Sequence, residues 1–353
     1  MVDVAVVSFR LGGSDGVAIE ATKWIGALRA LGATVTTVAA DGPVDVKVEG
    51  LGIRDTRPLN HRLLDAALDA EVVIVENLCS LPLNPTAAAA VAQLLAGRAA
   101  VLHHHDLPWQ RPTTAGFAPP PDDPSWVHAT INELSRRELE ARGISATTIY
   151  NRFDPDPPRG DRRGTRAALG VGDEVLLVAQ PTRALGRKRV DLGIACAEEL
   201  GATYWLLGNA EDGYDEALAD LVDAARCPVL LGTPSIPGWS MHDAYAACDV
   251  VVMPSDWEGF GNPVLESATH RKPLVLQRYP VALELEAFGF EWFGLDQLNE
   301  LRRATSSDLE QRSEHNAAVA RAHFSLDGLP PALADLVAPL GTSLGQPIHG
   351  AQR

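Results

Sequence analysis

The stretch from Asp249 to Pro280, DVVVMPSDWEGFGNPVLESATHRKPLVLQRYP, constrains the fold more than any other part of the chain. Asp249 to Met253 is a short valine-rich run, the pattern of a parallel strand buried on both faces. Pro254 stops it, and Ser255 to Gly261 make a polar loop with two glycines. Asn262 and Pro263 follow in the order of an N-cap and a first helical residue, so a helix is expected to about Arg271. Pro273 opens the next apolar run. Strand, loop, helix and strand in this order belong to a doubly wound α/β sheet.

That layout sets a glycine-bearing loop and a helix N-terminus at the carboxyl end of a parallel strand. Unpaired N–H groups and the positive helix end suit an anion such as a diphosphate. Gly259 and Gly261 let the backbone approach it closely. Glu258 precedes the loop and Glu266 lies one turn into the helix. Carboxylates sit badly beside phosphate, so both are expected to face the hydroxyls of a sugar or ribose, which points to a sugar nucleotide.

Glu258, seven intervening residues and Glu266, set in EGFGNPVLE after VVMPS, resemble the signature of the retaining group 1 (family 4) nucleotide-sugar glycosyltransferases. The resemblance spans about Val4 to Ala338 and implies the GT-B fold: two doubly wound Rossmann-like α/β domains facing across a cleft. On that basis, residues 1–157 are an acceptor-side domain and 165–310 a nucleotide-sugar-binding domain. Helices within 311–340 would cross back to the first domain. It also implies that Gly259, Phe260, Gly261 and Asn262 line the donor diphosphate, with Glu266 on the ribose and Glu258 on the transferred sugar.

With 353 residues, two domains are the default. The formal charge of −16 argues against nucleic acid and against anionic lipid as partners. No run approaches the roughly 20 apolar residues of a spanning helix. Met1 to Arg10 has the pattern of a strand and not of a signal peptide, so a cytoplasmic protein without stable membrane insertion is expected. Cys79, Cys196, Cys227 and Cys248 have neither zinc nor disulfide spacing and are expected as free thiols.

In the first half, Asp3 to Ser8 has strand character, followed by the turn RLGGSDG (Arg10 to Gly16) and an amphipathic run carrying Trp24, Ile25, Leu28 and Leu31. Gly12 and Gly13 do not complete G-x-G-x-x-G. The resemblance places Gly13 against the donor diphosphate and the acceptor, while a plain tight turn is the other reading. EVVIVE (Glu71 to Glu76) is a buried strand with Asn77 at its ligand-facing end, an acceptor-site candidate. A further strand from Ala99 runs into His103, His104, His105 and Asp106. Alternation puts His103 and His105 on one side and His104 on the other, with no further histidine or acidic cluster evident nearby, so no metal is assigned. The family has a histidine just before an aspartate at this strand end, which makes His105 the candidate near the reacting sugar and Asp106 its acceptor-side neighbour. Trp109 and Arg111 suit acceptor recognition by stacking and charge, and packing with surface charge is an equal reading.

A proline-rich linker is expected from Asp154 through the Arg/Gly/Asp run to Arg166. Asp154-Pro-Asp156 has the D-x-D spacing of metal-dependent glycosyltransferases of the other major fold, but its place in a proline-rich linker makes a turn the expectation. EVLLVA (Glu174 to Ala179) opens the second sheet and delivers Arg183, Arg187, Lys188 and Arg189. Arg183 and Lys188 match the family's pyrophosphate clamp, with Arg187 and Arg189 expected to face solvent. Leu274 to Gln277 is expected to close the sheet, and Gly341 to Arg353 to be frayed. The function implied is transfer of a sugar from a UDP-, GDP- or ADP-sugar co-substrate to a hydroxyl acceptor, with retention and without cofactor or metal. Rival readings are a phosphorolytic or epimerising enzyme on the same scaffold, a sugar-nucleotide-binding protein without catalysis, and a metal-dependent glycosyltransferase. Base, sugar, acceptor and oligomeric state are not written in the sequence.

Overall fold

The computed structural model describes residues 1–13 and 15–345. Ser14 of the Arg10–Gly16 turn and residues 346–353 of the expected tail lie outside the described residues. Before that point the tail is tied down, with the Gly345 N–H bonded to the Leu31 carbonyl at 3.1 Å.

Two compact units divide the chain: Met1–Arg152 with the segment from Leu326 onward, and Phe153–Ser325. The first is built on β1 (Asp3–Val7), β2 (Thr34–Ala39), β3 (Val46–Lys47), β4 (Val72–Glu76), β5 (Ala100–His104), β6 (Trp126–Thr130) and β7 (Ala146–Thr148). They form one parallel sheet in the order β3-β2-β1-β4-β5-β6-β7. Alternate residues of β1 serve opposite faces. Val4 and Val6 pack with Trp24, Ile25 and Leu28 of the helix Gly16–Ala30, and Ala5 and Val7 pack on the other face with Leu64, Val91 and Leu95. Because both faces are covered, the strand is apolar from Val4 to Val7. Trp24 is fully buried, and truncating it to alanine costs about 3–5 kcal/mol. The helix Leu329–Val337 belongs to this unit, where Leu333, Leu336 and Val337 join the Trp24 cluster.

The second unit contains β8 (Leu177–Gln180), β9 (Thr203–Leu206), β10 (Val229–Leu231), β11 (Val250–Met253), β12 (Leu274–Leu276) and β13 (Phe293–Gly294). These too are parallel, in the order β10-β9-β8-β11-β12-β13. The sheet therefore ends on Phe293–Gly294, one strand beyond the expected edge; two residues are too few to show periodicity. In both sheets the winding reverses beside the first strand, between β1 and β4 and between β8 and β11. Doubly wound sheets place ligands at the carboxyl ends of the strands at such points.

The linker expected to reach Arg166 instead contains the helix Arg162–Leu169, N-capped by Asp161 and ended by Gly170 in the left-handed region. Arg166 is buried, donating to the carbonyls of Ala247, Gly172 and Val175. A run of arginines resembles solvated linker until those carbonyls are known. Asp154 and Asp156 do form a turn, the Asp156 N–H reaching Asp154 Oδ1 at 3.0 Å. Among the described residues no helix is long and apolar enough to cross a membrane.

Candidate active site

At the reversal point of the second sheet, β8 ends in Gln180 and β11 leads into the Ser255–Gly261 loop. Gln180 is fully buried and acts as a bracket. Its amide donates to the Lys188 carbonyl at 2.9 Å, and its Oε1 accepts from Tyr204 Oη at 2.7 Å. This fixes the short 3-10 turn Gly186–Lys188 against the strand end. The Asp256 N–H donates to the Arg187 carbonyl at 2.9 Å, which joins that turn to the loop after β11.

Glu258 is therefore brought onto two cations. Lys188 Nζ donates to its Oε1, and Arg187 reaches Oε2 at 3.2 Å while also donating to the Trp257 carbonyl at 2.9 Å. Burial works against the Glu258 charge, but Lys188 and Arg187 outweigh it and hold the carboxyl below its ordinary range. Lys188 is itself pulled down by burial and by the like charges of Arg187 and Arg183, against the attraction of Glu258. A carboxylate with two cations and a lysine crowded by two others divide the effects in this way.

Arg187, expected at the surface, is thus part of the site; only its position next to Lys188 could have suggested so. Arg183 lies close enough to act on Lys188 through charge, but its guanidinium pairs with Glu211 at 2.6 Å on the exposed side. Arg189 pairs with Asp191 at 2.8 Å and Asp256 at 3.2 Å.

The loop ends differently from the expected Asn262 cap. The helix runs Asn262–Thr269 and its N-cap is Gly261, at φ 87°. A Cβ on Gly261 would stand 2.1 Å from Tyr279 Oη, which donates to the Phe260 carbonyl at 3.0 Å. Phe260 itself is buried, its ring 6.2 Å from Phe153 and 6.4 Å from Phe324. The ring is thus committed to packing and the loop offers a ligand its backbone. One turn on, Glu266 Oε2 accepts from Tyr245 Oη at 2.6 Å. Cations, a helix N-terminus and two oriented carboxylates at one sheet edge can hold a diphosphate and hydroxyl groups.

The first unit holds the remaining candidates. Gly13 keeps an ordinary backbone conformation; its neighbour Gly12, at φ 70°, is the constrained one, because a Cβ there would meet Pro43 at 2.6 Å. Asn77 is in the left-handed region at φ 56°, and its Oδ1 accepts the N–H groups of His105 at 3.1 Å and Asp106 at 3.2 Å. Its amide oxygen braces the turn after β5 and is not free for an acceptor. Asp106 and Arg111 are paired with each other. The Arg142 guanidinium covers one face of Trp109 at 3.6 Å, and Trp109 Nε1 donates to Glu138 at 2.9 Å.

No further histidine or acidic cluster is evident near these histidines from sequence, and the structure brings one carboxylate, Glu76, onto two of them. Glu76 Oε2 lies 2.8 Å from His103 Nδ1 and 3.0 Å from His105 Nε2. The carboxylate and the two ring nitrogens fall within 4.8 Å of one another, the compactness of a metal-ligand set. Burial opposes the Glu76 charge, yet the two imidazoles outweigh it and bring the carboxyl to about 2; burial pushes His103 down. An ionised carboxylate between two imidazole N–H donors accounts for both. His104 faces the other way, as alternation requires, its Nε2 2.9 Å from His128 Nδ1 and its Nδ1 2.6 Å from Ser80 Oγ.

Two doubly wound parallel sheets, one in each unit, are those of the GT-B fold. Residues 186–287, which contain Lys188, Glu258 and Glu266, match the family Glycosyl transferases group 1, and the chain is a glycosyltransferase. It is similar to mannosylglucosylglycerate synthase of Thermotoga maritima, at 25% identity over 95% of this chain and 100% of the relative. The Petrotoga mobilis enzyme of the same name is 26% identical over 85% of this chain and 88% of its own. Among solved structures, Anabaena HepE in complex with UDP and glucose superposes with a TM-score of 0.72, at 18% identity over 96% of this chain and 99% of that one. The same protein in complex with UDP-glucose gives 0.73.

Proposed function

We propose that this glycosyltransferase moves a hexose from a nucleotide-sugar donor to a hydroxyl acceptor with retention of anomeric configuration, and without a metal ion. The observation that carries this is the Arg187–Lys188–Glu258 cluster beside the Gly261 helix N-terminus. Fixed cations and amide dipoles there neutralise the departing nucleoside diphosphate, the task a bound metal performs elsewhere. Glu266, oriented by Tyr245, holds the ribose, and Glu258 takes the hydroxyls of the transferred sugar. As the glycosidic bond breaks, the carboxylate also faces the positive charge growing at the anomeric carbon.

UDP-glucose bound to HepE favours a UDP-hexose over GDP and ADP donors as the first to try. The name of the two curated relatives favours a small acidic glycoside as acceptor. The test is incubation of UDP-, GDP- and ADP-hexoses with glucosylglycerate and simple glycosides in EDTA, the product anomer being read by NMR. An α-linked product from an α-linked donor, unaffected by EDTA, is expected. An inverted product, or activity restored only by a divalent ion, contradicts the mechanism.

A further inference from the structure

Among the described residues, one group of three side chains has the composition and compactness of a metal-ligand set: Glu76, His103 and His105, all in the first unit. Glu76 closes β4 and stands opposite His103 in the β4–β5 register, and His105 is the first residue after β5. His103 Nδ1 and His105 Nε2 converge on one atom, Glu76 Oε2, at 2.8 and 3.0 Å. With bonds of about 2.0–2.2 Å, the ligand atoms of a tetrahedral zinc ion stand roughly 3.3 Å apart. Seating one here asks the three side chains to open by only a few tenths of an ångström.

Charge and unused valences favour a cation. Glu76 is fully buried, and its ion-pair partners among the described residues are the two imidazoles alone. Burial pushes the His103 ring toward its neutral form, which is also the form that ligates a metal. An ionised carboxylate with neutral partners keeps an uncompensated charge inside the protein, a costly arrangement. Glu76 Oε1 and His103 Nε2 have no hydrogen-bond partner among the described residues. Glu20, also fully buried and with its own Oε1 unpartnered, is near enough to act on His103 through charge. Zinc-bound histidines commonly direct their second N–H at such a carboxylate. Trp24 stacks on His103 at 3.9 Å and 21° and fixes the plane of its ring. Of the three side chains only His105 keeps any exposure, 5%, so an ion enters from that side and takes its fourth ligand, a water, there.

We propose that Glu76, His103 and His105 bind one zinc ion, in a site built by the first unit alone. Two imidazoles and one carboxylate select zinc over magnesium, which prefers a shell of oxygens. The ion cancels the Glu76 charge and ties β4 to the turn after β5. Each imidazole stays neutral, giving up the N–H that now faces Glu76 and carrying its proton on the other nitrogen, so none is released. No step of sugar transfer runs through this ion, and transfer in EDTA is expected to persist when it is lost.

The full chain, treated with EDTA and then freed of it, is titrated with zinc chloride by calorimetry and with cobalt chloride by visible absorption. One ion per chain is expected, with cobalt bands of the intensity that four or five ligands give. Excess zinc should raise the melting temperature, because it binds the folded chain, and magnesium chloride should not. Loss of an outer partner of a metal ligand weakens binding roughly 10–100-fold, so loss of a ligand itself, in Glu76→Gln or His105→Gln, should cost about 100-fold or more. No bound ion, zinc held as tightly by both variants as by wild type, or magnesium bound as readily as zinc, overturns the proposal. Where Glu76→Gln does not fold, His105→Gln, at the partly exposed ligand, decides alone. A wild type that binds zinc and transfers no sugar defeats only the functional reading above. One that transfers sugar and binds no zinc defeats only this site.

Discussion

Lys188 and Glu258, 70 residues apart in sequence, form a buried ion pair at the carboxyl edge of the second sheet. Two different connections supply them, the turn after β8 and the loop after β11, and Gln180 braces the first of these. Arg187 makes the pair a triad. Buried pairs are poor sources of stability, because desolvation offsets most of the attraction. Under the proposed function, their place at a sheet reversal point is accounted for by a ligand.

Glu258→Gln keeps the shape of the side chain and removes its charge from between two cations. With the carboxylate working on the sugar and not on the diphosphate, turnover should fall by a factor of roughly 100–1,000, the scale for one preorganised electrostatic group. UDP affinity should stay level or rise, since a negative charge near the phosphates is gone. Steady-state kinetics with calorimetric titration of UDP decide this; a kcat within threefold of wild type contradicts the assigned role.

Gly261→Ala meets two obstacles. At φ 87° an alanine costs about 1–2 kcal/mol, and its Cβ would lie 2.1 Å from Tyr279 Oη. The melting temperature and donor affinity should both drop. Adding Tyr279→Phe should recover only part of the melting temperature, because it relieves the contact and leaves the backbone strained. Full recovery would mean that the left-handed conformation is not needed.

Tyr245→Phe removes the hydroxyl that donates to Glu266 at 2.6 Å. A hydrogen bond to a charged group contributes about 1.5–3 kcal/mol. The donor KM should therefore rise about tenfold or more while kcat changes little, since the ribose does not react. A loss confined to kcat would place Glu266 elsewhere in the reaction.

Much of this was legible in the sequence. The valine runs, Gly261, Pro263 and the Glu258–Glu266 spacing are local, and local patterns survive without coordinates. What sequence hid depends on strand register and on partners. Glu76 meets His103 because β4 and β5 align them, and nothing within either run announces that pairing. Arg187 has the local surroundings of a surface arginine, and only the loop bearing Glu258 turns it inward. Asn77, Trp109, Asp106 and Arg111 have the residue types of an acceptor site. Their side chains are committed to one another, to Arg142 and to the backbone after β5.

Two histidines, His104 and the half-buried His270, make stability depend on pH. Burial holds His104 well below 6.5 and brings His270 to about 4. The unfolded chain then binds protons first, so these sites stabilise fully above about pH 6.5 and lose their contribution as pH falls. For His270 the loss between pH 6.5 and 4 is on the order of 2–3 kcal/mol. Melting temperatures taken from pH 7 down to 4.5 should decline, and His270→Gln should flatten the slope. An unchanged slope in that variant would show that His270 takes up its proton without unfolding.

Calorimetric titration of UDP, GDP and ADP, in EDTA, into wild type and Lys188→Ala tests most directly whether the Lys188 edge grips a nucleoside diphosphate. At least one of the three should bind the wild type without metal, and the variant should bind it at least tenfold more weakly. Equal affinity in the two proteins, or no binding of any diphosphate unless a divalent ion is added, would contradict that role for the Lys188 edge.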